Sequence, residues 1–173
     1  FAAVSEVCSD ISITCMAPTK CFNMAGLQTA AVMVPNKFLR HKVWRALNTD
    51  EVAEPNAFAI TAAVAAFTKG EPWLEELRTY LWENRKTVCS FVEENLPQIH
   101  IVDADATYLM WLDCSALTDD SVAFTQMIRE KTGLYLSEGA EFGGNGRYFV
   151  RLNIACPKSV LIEGLDRLKR ALT

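Results

Sequence analysis

Between Thr14 and Asn36 the sequence carries a single charged side chain, that of Lys20. Apolar residues flank it on both sides, and a lysine held among apolar neighbours loses hydration. An amine stripped of water is the kind of nucleophile that Schiff-base chemistry needs. Thr19 adds a hydroxyl and a backbone N–H that suit a phosphate. Gly26 lets another backbone come close. The alternative is a lysine whose stem snorkels to the surface.

Arg151 is the second candidate. The run Tyr148-Phe149-Val150-Arg151-Leu152-Asn153-Ile154 alternates. Val150, Leu152 and Ile154 therefore share one face of a strand, and Arg151 and Asn153 share the other. An arginine in the middle of an apolar strand keeps its charge and must meet an anion. Its planar fork matches a carboxylate, either that of a substrate or that of a protein acid. The pattern leaves both open.

Other chemistries find less support. Six cysteines, at 8, 15, 21, 89, 114 and 156, form no Cys-x-x-Cys pair, and the two histidines, His41 and His100, lie far apart. No metal site is expected; reduced thiols packed mostly as small hydrophobes are, with Cys21 partly accessible. Gly143-Gly144-Asn145-Gly146 precedes a strand instead of following one, so it fails as a dinucleotide loop. It reads as a flexible hairpin connection near the substrate side. Tyr108 and Trp111 read as core. No Gly-x-Ser-x-Gly is present. The net charge is −4 without a basic run, which gives no support to nucleic-acid binding. No apolar stretch is long enough for a bilayer and no signal peptide opens the chain, so a cytoplasmic protein is expected. The absence of an initial Met suggests a chain that begins inside a larger protein.

The elements that must position these residues follow from period and punctuation. Residues 11–16 alternate as a strand, Pro18 breaks it, and Lys20 falls in the turn beyond. Residues 27–34 read as a second, well-buried strand. Asn36 caps a helix over 37–47. Residues 57–68 are apolar almost all round, which predicts a buried or interface helix ended by Gly70. A long helix runs over 72–95, with Leu74, Leu77, Leu81, Val88, Phe91 and Val92 on one stripe. Strands are expected at 99–103, 107–112, 134–136 and 148–154. Helices are expected at 121–132, closed by Gly133, and at 159–172, with Leu161, Leu165, Leu168 and Leu172 inward. Short connections between them predict a compact α/β layer domain. The two strands and two helices of the first part are too little to close a core alone.

Ala17-Pro18-Thr19-Lys20, Phe22-Asn23 and Ala25-Gly26-Leu27-Gln28 resemble the cofactor-lysine segment of fold-type I pyridoxal 5′-phosphate (PLP) enzymes. Within them the chain looks most like the cystathionine beta-lyase, or C–S lyase, branch of the class I/II aminotransferase family. Pro55-Asn56-Ala57, Gly70-Glu71-Pro72-Trp73-Leu74, Ala106-Thr107-Tyr108-Leu109, Trp111-Leu112-Asp113, Phe142-Gly143 and Arg151-Leu152-Asn153-Ile154-Ala155-Cys156-Pro157 extend the resemblance over essentially the whole chain. It implies an α/β fold: the end of the large PLP-binding domain over 1–71, a long connecting helix over 72–98, and a small C-terminal α/β domain over 99–173. It implies that Lys20 holds PLP and moves the substrate's α-proton, that Thr19 assists in binding the cofactor, and that Arg151 grips the α-carboxylate of an amino-acid substrate. It implies a homodimer for the parent protein. The activity implied is β-elimination at a carbon–sulfur bond; transamination, or a non-catalytic isolated domain, is the alternative. The glycine-bearing phosphate loop, ring-stacking aromatic and pyridine-nitrogen acid of such enzymes lie upstream of this segment. The 173 residues alone are therefore expected to be inactive.

Overall fold

The computed structural model describes residues 1–173. The chain divides into two compact units, Phe1–Glu76 and Leu77–Thr173. The division falls inside the long helix predicted for 72–95, so most of that helix belongs with the second unit.

The first unit opens with α1 (Glu6–Asp10), whose N-cap Ser5 accepts a hydrogen bond from the Cys8 N–H. Strands β1 (Thr14–Met16) and β2 (Ala31–Met33) pair antiparallel, Thr14 opposite Met33. The strand predicted over 27–34 is therefore much shorter. Ala25–Leu27 forms a 3-10 turn instead, and Gln28 leaves it in the left-handed region at φ 45°. Nor is this strand buried: Ala31, Val32 and Met33 are all exposed, and only Val34 is enclosed. Helix α2 (Lys37–Thr49) starts as expected, with Asn36 Oδ1 accepting from the Phe38 and Leu39 N–H groups. Helix α3 (Ala59–Lys69) buries only Ala59 and Ala66. Its Ile60, Val64 and Phe67 are open, so the all-round apolar pattern marks no buried helix within this chain.

Helix α4 (Glu71–Asn95) begins directly after Gly70, with Pro72 in its first turn, where the missing N–H costs nothing. Its later turns belong to the second unit and bury Asn84, Val88 and Val92. There follow β3 (His100–Ile101), β4 (Leu109–Asp113), α5 (Ser121–Thr132), β5 (Ser137–Glu138), β6 (Phe149–Asn153) and α6 (Lys158–Leu172). The sheet order is β3-β4-β6-β5, antiparallel throughout. Asp120 caps α5 through Oδ1, and Gly133 ends it at φ 72°, a conformation glycine takes without strain.

One face of this sheet supplies Met110, Leu112, Val150 and Leu152 to the core; the helices supply Val88, Val92, Ile128, Leu161, Leu165 and Leu168. Each such side chain gains roughly 1.5–3 kcal/mol on burial. Leu172, expected inward, only flanks the cluster, and Ala171 is the buried residue there. The strand predicted at 134–136 begins later, at Ser137. Residues Leu134 to Leu136 border a cleft of about 440 Å³ that also takes in Leu152 and Ala155, and pairing with β6 starts with Ser137 opposite Arg151. No helix is long and apolar enough to cross a membrane.

Candidate functional site

Lys20 sits in the connection between β1 and β2, on a turn fixed by its own backbone. The Phe22 N–H donates to Pro18 O at 3.0 Å and the Met24 N–H to Thr19 O at 2.9 Å. Asn23 takes the left-handed region, φ 52°. Phe22 then anchors the turn. Its ring stacks on Trp73 at 6.1 Å and meets Phe67 edge-on at 6.0 Å. It lies so close to Gly70 that a Cβ there would collide with the ring and with Ala66 O. Asn56 ties down the far end, donating to Leu27 O through Nδ2 while its Oδ1 accepts from the Phe58 N–H. No spacing pattern pairs Phe22 with Gly70; that contact is tertiary.

On this anchored turn the Lys20 side chain is exposed and Thr19 is half-buried. Lys20 makes no ion pair. The expectation that apolar neighbours strip its water is not met within this chain, and the reason is local. Cys15, Met16, Val32 and Met33, which were to enclose it, are exposed themselves. A Cβ at Gly26 would meet nothing within 4 Å. The residues present suit a phosphorylated aldehyde: a free primary amine, a neighbouring hydroxyl, and an open glycine backbone on one braced turn. Cys21 is exposed, as is Cys15, whereas Cys114 alone is fully buried. The packed-thiol reading therefore holds for Cys114 and, packed against the same core, Cys89 and Cys156, but not for Cys15 or Cys21. No group of three or more His, Cys, Asp or Glu is placed to hold a metal ion.

Arg151 lies in the second unit, in the middle of β6. It faces away from the core, between Trp111 on β4 and Ser137 on β5. Nη2 donates to Ser137 Oγ at 3.2 Å. The guanidinium carbon stands 4.5 Å from the centroid of Phe142. Trp111 closes on Phe142 edge-on at 5.3 Å and on Phe149 at 6.2 Å. Trp111, expected in the core, instead shares the Arg151 face. A signal for this was present, because Asp113 falls on the same alternation. No acid of the chain pairs with Arg151. Asp113, the acid on that face of β4, is turned to Ser115: its Oδ1 accepts from the Ser115 N–H at 2.9 Å. Those bonds hold its carboxyl below the usual carboxylate range.

Two features behind Arg151 escaped the sequence reading. Asn84, buried in α4, donates through Nδ2 to Ile154 O at 2.9 Å and Cys156 O at 3.1 Å, and its Oδ1 has no partner. Tyr80, one turn earlier, accepts from the Lys158 N–H at 2.7 Å. Together they hold the connection between β6 and α6. The glycine-rich loop before β6 is not a simple hairpin. Gly139–Phe142 and Gly146–Tyr148 are 3-10 turns around Gly143 and Gly144, both at positive φ.

The sequence profile of the aminotransferase class I and II family matches residues 2–168. Cystathionine beta-lyase PatB of Bacillus subtilis is 40% identical over 173 residues, which is 100% of this chain and 45% of that protein. Cystalysin of Treponema denticola, whose crystal structure contains PLP, superposes with a TM-score of 0.92 at 30% identity, over 98% of this chain and 43% of that one. The PLP-bound C–S lyase of Staphylococcus hominis superposes at 0.80 with 31% identity, over 94% and 42%. The chain thus spans less than half the length of the relatives it matches. Its α/β fold is that of PLP-dependent aminotransferase structures, and by profile, sequence and fold together the chain belongs to the class I and II aminotransferases, a family of PLP-dependent enzymes.

Proposed function

We propose that these residues serve a PLP-dependent enzyme that cleaves a carbon–sulfur bond of an amino acid by β-elimination, releasing a thiol and an aminoacrylate that water hydrolyses to pyruvate and ammonia. The similarity to PatB, cystalysin and the S. hominis lyase supports this over transamination. Bound PLP supplies an electron sink for charge that develops at the substrate's α-carbon. Lys20 holds the cofactor through its amine and, once released, moves the α-proton as general base. Thr19 offers its hydroxyl to the phosphate, and Arg151 takes the α-carboxylate in its planar fork. In the domain scheme that goes with this reading, residues 1–71 end the large PLP-binding domain, 72–98 connect, and 99–173 form the small domain. A cytoplasmic homodimer is the working form, and the 173 residues alone show no turnover. Transamination remains the second reading, because the matching profile is that of aminotransferases. Pyruvate formed from cystathionine without an added keto acid separates the two.

The observation that carries the reading is Arg151: a cation in the middle of a strand, fixed by Ser137 and Phe142, without an acid of its own chain. Arg151→Lys in the full-length enzyme keeps the charge and removes the fork. A hydrogen bond to a charged group contributes roughly 1.5–3 kcal/mol, so kcat/KM should fall about tenfold to a hundredfold. An unchanged melting temperature with unchanged kcat/KM defeats the assignment.

A further inference from the structure

The Arg151 guanidinium is held from two directions. Ser137 Oγ accepts from one N–H at 3.2 Å, and the guanidinium carbon sits over the Phe142 ring, 4.5 Å from its centroid. Phe142 is braced in turn by the edge-on contact with Trp111, the cross-strand neighbour of Arg151. The loop carrying Phe142 is closed at its neck by backbone against backbone. A Cβ on Gly146 would collide with Gly139 O, and one on Gly139 with Gly146 O. Ser121, fully buried, accepts from the Ala140 N–H at 3.0 Å and fixes the same loop to α5. Yet Phe142 remains 45% exposed. An anchored loop thus presents a large ring to one cation and leaves the ring largely outside the core.

A guanidinium donates in its plane and has no donors on its faces. A ring that stacks on one such face attracts the cation and leaves free the edge that a carboxylate needs. A protein acid would compete with that edge; an aromatic ring does not. We propose that Phe142 is a positioning residue: its ring fixes the plane of the Arg151 guanidinium, so that the α-carboxylate is met edge-on by a fork already oriented. This rests on the carboxylate-binding reading of Arg151. Fixing the side chain beforehand reduces the ordering that binding must impose.

The test uses the full-length enzyme with Phe142→Leu, Phe142→Ala, Phe142→Tyr and Arg151→Lys. The readouts are KM and kcat for the amino acid, inhibition by propionate, which has a carboxylate and no amine, inhibition by ethylamine, which has the reverse, and the melting temperature. Phe142→Leu and Phe142→Ala should raise KM and the propionate inhibition constant about tenfold. They should change kcat and ethylamine inhibition less than about threefold. Phe142→Tyr, which retains the ring face, should recover most of the loss. Wild-type propionate inhibition in Phe142→Leu, beside an impaired Arg151→Lys, overturns this proposal alone. Equal losses for propionate and ethylamine overturn it too, since the ring would then be a general pocket wall. An unaffected Arg151→Lys instead removes the reading beneath it.

Discussion

Residues 77–173 bury Val88, Ile128, Leu165 and Leu168 to 2% exposure or less, whereas residues 1–76 leave Phe38, Trp44, Phe58 and Ile60 more than half exposed. The same local grammar of caps, prolines and apolar spacing operates in both. Asn36 caps α2 as Asp120 caps α5. What differs is whether the apolar faces find each other. In the second unit, three helices close on one face of a four-stranded sheet. In the first, a two-stranded sheet and its helices enclose little beyond Ser12, Pro18, Val34, Ala59 and Ala66. The Lys20 turn is held by a few specific contacts, chiefly Phe22 on Gly70, and not by bulk burial.

That contrast can be broken by substitution. Leu165→Ala should destabilise the second unit by about 2–5 kcal/mol, because it empties a closed core. Val64→Ala, on the open face of α3, should stay within about 0.5 kcal/mol. Denaturant melts of the two variants compare them directly, and similar losses would show that the α3 face is covered in solution. A smaller effect is expected at the anchor. Gly70→Ala forces a methyl against Phe22 and Ala66 O, at a cost of about 1–3 kcal/mol. Its signature is faster proteolysis between Pro18 and Leu27, with the second unit's protection in hydrogen exchange unchanged.

The thiols give the mildest probe. Burial pushes the Cys114 thiol up to about 12 from an ordinary 9.0. Thiolate is the reactive form, so iodoacetamide at about pH 8 should label Cys15 and Cys21 and spare Cys114, as read by peptide mass spectrometry. The raised value also sets a sign. The unfolded chain ionises Cys114 first, so its contribution to stability is complete below about pH 9 and declines as pH rises toward 12.

Much of the second unit was legible in the sequence, because its residues alternate or recur at helical spacing around a core they themselves complete. The Leu161, Leu165 and Leu168 stripe and the outward face of Arg151 follow from period alone. Trp111 is large and apolar enough for a core, but its register places it on the Arg151 face. In the first unit the same periodicity misled. Residues 27–34 are apolar enough for a buried strand, but a left-handed Gln28 and a 3-10 turn divide them, and nothing local reports exposure. The roles of Phe142, Asn84 and Gly70 depend on contacts between distant residues. Neither spacing nor composition encodes such pairings.

Lys20, on its anchored turn, is the lysine we propose to hold the cofactor. Borohydride reduction of the full-length protein loaded with PLP, followed by peptide mass spectrometry, tests it most directly. A phosphopyridoxyl group is expected on the peptide that contains Lys20, and it should disappear in Lys20→Ala. A label on Lys37, Lys42 or any other lysine, with Lys20 unmodified, would contradict it.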